Sequence, residues 1–219
     1  NLGLILKEKN KLLEAEEATL KAIKIDKNSV NGNLNLGAIY KENKDFIKAE
    51  KYTLEALRLS PEIKGGNLNL AAIYHEAGND KDTLESIEKE IRYHPENEAS
   101  YQLLIQTLKD FPFNKKSIEV DKKLLYLLLN KTNLAHQELF PFINNLYEST
   151  FLNKLESEND LANSSELHIL KNDQIILKAL KIMPFSDLRW ENILTKIRSY
   201  FSHNFNSSCK KREEIDPIF

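Results

Sequence analysis

Along the first hundred residues apolar side chains return every three or four positions, the spacing that gathers them on one side of an α-helix. Polar or proline-bearing stretches interrupt them at regular intervals. Shifted by 34 positions, the pattern falls on itself. Asn1-Leu2-Gly3, Asn35-Leu36-Gly37 and Asn69-Leu70-Ala71 share one register, followed by Leu6, Tyr40 and Tyr74. Ala15, Ala49 and Thr83, then Ala22, Ala56 and Glu90, mark the second half of each repeat, and Lys27, Pro61 and Pro95 close it. A proline there stops a helix, because it donates no backbone N–H and crowds the preceding turn. Turn signals at Glu8-Lys9-Asn10, Glu42-Asn43-Lys44-Asp45 and Ala77-Gly78-Asn79-Asp80 divide each repeat in two. Each repeat is therefore predicted to be helix, turn, helix, with antiparallel helices of ~12 to 14 residues.

Small residues at fixed positions let the two helices approach closely. Gly3, Gly37 and Ala71 on the first helix should face Ala15, Ala49 and Thr83 on the second, with Leu2, Leu36 and Leu70 along the seam and Tyr40 and Tyr74 beside it. A degenerate fourth repeat is expected over 98–130. Its first helix would carry Tyr101, Leu104, Ile105 and Leu108, a break would fall at Phe111-Pro112-Phe113-Asn114, and a second helix would run from Ser117 to Leu129. Beyond it the 34-residue period is lost but helical spacing persists over 131–204. Expected there are a helix from Leu134 to Leu155 bent at Pro141, one from Glu166 to about Met183 capped by Ser164 or Ser165, and one from Asp187 to Ser202. Residues 205–219 are polar and read as a tail or linker.

Over residues 1–97 this pattern resembles the tetratricopeptide repeat family, with two departures: Thr19 and Thr53 stand where a large aromatic is usual, and Glu90 replaces a small residue. The resemblance implies an all-α solenoid of three repeats, the first truncated at its start, followed by a C-terminal helical segment. It also implies a concave face, lined by first helices, that takes a protein or peptide ligand. In that register Asn1, Asn35 and Asn69 form a ladder whose carboxamides can pair with the N–H and C=O of an extended peptide. The ladder is similar to that of tetratricopeptide domains linked to glycosyl transfer onto proteins; the plainer reading is a residue that recurs only because the repeat does. Beside it lie Leu34 and Leu68, Ala38 and Ala72, and at the far end Lys7, Lys41 and His75. The basic carboxylate clamp of chaperone-type domains is not matched, because Leu34 and Ala38 occupy two of its positions.

The C-terminal stretch Lys178-Ala179-Leu180-Lys181-Ile182, Asp187-Leu188 and Leu194-Thr195-Lys196-Ile197-Arg198 faintly resembles the linker of bacterial proteins that fuse such repeats to methyltransferase-like or glycosyltransferase-like domains. That resemblance implies a catalytic domain after Phe219. Asn1 opens inside a repeat, which fits a piece of a longer chain.

Charge narrows the partner. Lys and Arg (31) nearly balance Asp and Glu (33), leaving -2, so no field gathers nucleic acid. No run approaches the ~18 consecutive apolar residues of a membrane span. Cys209 has no second cysteine to pair with, and the sequons at Asn130, Asn163 and Asn206 matter only after secretion; a cytoplasmic setting follows as the expectation. Candidate chemistry is sparse. The six glycines form no phosphate loop. His75, His94, His136, His168 and His203 lack metal-ligand spacing, and Cys209, beside Lys210 and Lys211, has no base near it in sequence. No catalytic, cofactor or metal site is expected within these residues. Three functions stay open: a protein-interaction scaffold, the substrate-recruiting arm of a larger transferase, and a module whose groove is filled by a second copy in a homo-oligomer.

Overall fold

The computed structural model describes residues 3, 5, 7, 11–109, 122–148, 152–157, 164–183 and 187–207, and it is all-α over these residues. The chain divides into two compact units, Asn1–Asp110 and Phe111–Phe219. The boundary falls inside the stretch read as a fourth repeat, so its two helices belong to different units.

In the N-terminal unit, helical residues 3, 5 and 7 precede α1 (Leu12–Ile25), α2 (Val30–Glu42), α3 (Phe46–Leu59), α4 (Gly66–Glu76), α5 (Asp80–Tyr93) and α6 (Glu98–Lys109). Helix α2 packs on α3 and α4 on α5, while α1 meets α2, α3 meets α4 and α5 meets α6; α4 also lies beside both α2 and α6. Local chemistry sets the ends. Ser29, Asp45 and Asn79 each cap a helix by accepting a backbone N–H three residues on. The α2–α3 turn puts Lys44 at φ 59 and the α4–α5 turn puts Gly78 at φ 73, left-handed conformations in the stretches read as turns. The Glu8-Lys9-Asn10 turn signal lies outside the described residues.

The seam forms as the spacing predicts. Leu36, Ala15, Ala49, Ala56 and Ala71 are fully buried, and Leu70 and Tyr40 nearly so. A β-carbon on Gly37 would collide with Thr53 Oγ1 and press on the Ala49 carbonyl at 3.2 Å; one on Gly3 would meet Thr19 Oγ1 and the Ala15 carbonyl in the same way. The threonines that replace the usual aromatic thus fill the space over a glycine. Thr19 turns its hydroxyl back onto the Ala15 carbonyl at 2.7 Å. Tyrosines tie successive repeats: Tyr40 donates to Glu16 (2.6 Å) and Tyr74 to Glu50 (2.7 Å). Burial, then the neighbouring carboxylate, pushes both phenols well above their ordinary pKa.

One polar atom in this core is without a partner. Ser100 is fully buried, and its Oγ makes no hydrogen bond among the described residues. Its register position belongs to Gly32 and Gly66 in the preceding repeats. Removing an unsatisfied buried hydroxyl recovers its desolvation cost, so Ser100→Ala should stabilise the unit by ~1 kcal/mol. A urea midpoint that drops instead would show that the hydroxyl is satisfied in solution.

The C-terminal unit holds α7 (Lys122–Leu129), a 3₁₀ turn (His136–Leu139), α8 (Phe140–Tyr147), α9 (Asn153–Ser157), α10 (Ser165–Asn172), α11 (Gln174–Ile182) and α12 (Leu188–Ser207). Helix α7 packs on α11, and α9 on α10 and α12. Two expected helices have other bounds than the spacing suggests. The one read from Leu134 to Leu155 starts as α8 with Pro141 in its first turn, where a missing N–H costs nothing. The one read from Glu166 to Met183 splits at Asp173, whose Oδ1 accepts the N–H of Ile175 (2.9 Å) and Ile176 (3.3 Å) and so caps α11. Asp173 also accepts the Tyr147 hydroxyl at 2.8 Å and pairs with Lys122 at 3.4 Å. Ser164 caps α10 as expected. Trp190 is fully buried with Nε1 donating to Asn144 Oδ1 at 2.7 Å. Arg189 bridges Glu148 (2.8 Å) and Glu156 (2.9 Å) and also meets Asn153. Glu166 is held down to about 2, first by the Ser165 hydroxyl and then by Lys154.

Candidate binding face

Helices α2 and α4 carry the ladder register. One turn of helix returns every 3.6 residues, so Leu34, Asn35, Ala38 and Lys41 line one side of α2, and Leu68, Asn69, Ala72 and His75 the matching side of α4. All eight are half-buried, neither sunk in the seam nor free in water. Asn1 lies outside the described residues. The register continues onto α6 at Gln102, Leu103, Gln106 and Lys109, with both glutamines exposed. The repeat spacing contained that extension, but the loss of the Asn-Leu-Gly signature on α6 obscured it.

The two described asparagines differ. Asn69 Nδ2 donates to Thr53 Oγ1 at 2.9 Å, so its carboxamide is pinned by the second helix of the preceding repeat. Asn35 makes no such bond; Thr19, which stands in the place of Thr53, spends its hydroxyl on its own helix. The face therefore offers one oriented amide and one that can turn. Asn33 and Asn67, two residues earlier in each helix, are buried instead, and Asn33 Nδ2 closes on the Ser29 carbonyl at 3.0 Å. A run of alternating asparagines is thus divided by helical geometry into a structural and a surface set.

Charge at the far end is tied up. Lys41 Nζ lies 3.1 Å from Glu76 and 3.8 Å from Glu42, while Lys7 lies 4.0 Å from Glu42. His75 Nδ1 is 3.4 Å from Thr107 Oγ1 on α6. At the opposite end of α4, Glu90 is wholly buried. Its carboxylate accepts the N–H of Gly65 (2.8 Å) and Leu68 (3.2 Å) and the Asn97 amide (2.9 Å). It caps the helix that carries half of the face, a task Gly65, at φ 79 and with no side chain, cannot do. The sequence marked Glu90 only as a departure from a small residue; its role needed the folded neighbours. Among the described residues no His, Cys, Asp and Glu gather as a metal site, and no helix is long and apolar enough to cross a membrane.

Antiparallel helix pairs stacked in one register, with first helices side by side, define a helical repeat protein of solenoid type. Residues 1–29 and 30–63 each match the tetratricopeptide repeat family. Helices α4 and α5 continue the register past the matched residues. No curated protein matches the chain significantly. Repeats of this family generally mediate protein–protein interaction.

Proposed function

We propose that the chain is a protein-interaction scaffold and that the face made by α2 and α4 binds an extended segment of a partner protein. The observation that carries this reading is the row of eight half-buried side chains in equivalent positions, with the Asn69 carboxamide held in one orientation by Thr53. An extended backbone needs donors and acceptors supplied together, and a carboxamide supplies both. Leu34, Leu68, Ala38 and Ala72 add apolar contact around it. The near-neutral overall charge supports a protein partner over nucleic acid, and the lone cysteine goes with a reducing, cytoplasmic setting.

The test is Asn35→Ala combined with Asn69→Ala. Two hydrogen bonds worth ~0.5–1.5 kcal/mol each imply a loss of roughly 5- to 150-fold in affinity for a decapeptide selected on the wild-type chain, read by titration calorimetry. Helical content by circular dichroism should hold, because both side chains are half-buried and the pair of substitutions removes a single side-chain hydrogen bond among the described residues, that of Asn69 to Thr53. Unchanged affinity would remove the ladder from the binding account.

A further inference from the structure

We infer that this face selects an uncharged extended segment bearing small aliphatic side chains, and that a row of ion pairs across the first helices sets the preference. The inference rests on the reading that the face binds an extended peptide. Its basis is the chain of alternating charges Lys7, Glu42, Lys41 and Glu76, whose successive separations are 4.0, 3.8 and 3.1 Å. The cationic heads of Lys7 and Lys41 are thus already paired. Lys41 is the more buried partner, its side chain 19% exposed against 47% for Glu42 and 41% for Glu76. The carboxylates stand outside it and screen it from an incoming acid.

An acidic segment would have to displace Glu42 and Glu76 from Lys41 while approaching two like charges. A basic segment would find the same carboxylates already compensated by lysine. Neither gains, so a segment without charge pays least to enter. What remains available is the pair of amides and the apolar positions Leu34 with Ala38 and Leu68 with Ala72. In each pair the residues stand four apart, one turn, on the same side of the helix, and the alanine leaves room beside the leucine. An extended chain advances ~3.3 Å per residue and packed helices lie ~8–10 Å apart. Side chains two or three positions apart therefore meet successive helices, and small aliphatic ones fit beside leucine over alanine.

The test is selection of a displayed random decapeptide library on the wild-type chain and on the Glu42→Gln, Glu76→Gln double variant. Both substituted side chains lie at the surface, 47% and 41% exposed, so folding is retained. On the wild-type chain the selected pool should be enriched in Ala, Val and Leu and depleted in Asp and Glu, and binding of a selected peptide should change less than twofold from ~50 to ~500 mM salt, since no counter-charge is engaged. On the double variant Lys41 is released. Acidic residues should then be enriched, and replacing one aliphatic residue of the selected peptide by Asp should raise its affinity about threefold to fivefold, the worth of one exposed ion pair. Enrichment of acidic peptides on the wild-type chain, or the same pool from both proteins, overturns the inference. If those peptides still lose affinity with Asn35→Ala and Asn69→Ala, the peptide-binding reading survives; if no peptide is enriched on either protein, both fall.

Discussion

Replacing Trp190 by alanine is expected to destabilise the C-terminal unit by about 3–5 kcal/mol, the range for truncating a fully buried large aromatic. Trp190 has no solvent exposure and opens the buried line of α12 that continues with Ile193, Leu194 and Ile197. Two losses combine. A large void replaces the indole, and Asn144 Oδ1 loses the Nε1 donor at 2.7 Å. Against a typical domain stability of ~5–15 kcal/mol this is a major fraction, and urea unfolding followed by circular dichroism should show it directly. Trp190→Phe keeps most of the ring and loses the N–H, so it should fall well short of the alanine variant. Because Trp190 is the one tryptophan in the chain, the wild-type fluorescence transition reports this unit. A loss below ~1 kcal/mol for the alanine variant would mean that the indole does not fill the core as described.

The second large effect is expected at Glu90. Packing logic from the repeat alone favours alanine, which stands at the equivalent positions 22 and 56. The structure reverses that expectation. Glu90→Ala would leave the Gly65 and Leu68 N–H groups and the Asn97 amide without their common acceptor inside the fold. Hydrogen bonds to a charged group are worth ~1.5–3 kcal/mol and a lost helix cap ~1, so the variant should lose about 2–4 kcal/mol, concentrated at the start of α4. Hydrogen exchange at the Gly65 and Leu68 amides should accelerate before exchange in α2. Glu90→Gln, which keeps one acceptor oxygen but sets an amide against donors, should lie between. A higher melting midpoint for Glu90→Ala would show that close packing outweighs the cap.

Both residues illustrate how legibility divides. Trp190 could be assigned to a buried stripe because α12 follows the 3.6-residue rhythm, and that rhythm is a local property of the chain. Glu90 could not, because its partners lie 25, 22 and 7 residues away. The same division runs through the binding face. Its positions follow from the register, so Leu34, Asn35, Ala38 and Lys41 could be aligned with Leu68, Asn69, Ala72 and His75 before any coordinates. Their states could not. Asn69 is pinned and Asn35 is not, since Thr53 turns toward the next repeat while Thr19 bonds its own helix. Lys41 could be placed at the far end of the face, but its engagement by Glu76, 35 residues on, could not be read. The split at Asp173 had a local cause and was still hidden, because unbroken apolar spacing on either side masked a residue whose short carboxylate competes for backbone N–H groups.

By itself the sequence determined the helix-turn-helix repeat, its 34-residue register, the glycine and alanine seam, and which faces point together. All of these depend on periodicity and on the size of side chains one or two turns apart. Tertiary structure alone decided the polar contacts between helices: Tyr40 to Glu16, Asn69 to Thr53 and Lys41 to Glu76 join successive repeats, and Glu90 ties the start of α4 to its partner helix within one repeat. Each links groups brought within hydrogen-bonding distance only by packing one helix on another, and hydrogen-bond geometry is lost within a fraction of an ångström, a precision that no spacing along the chain encodes.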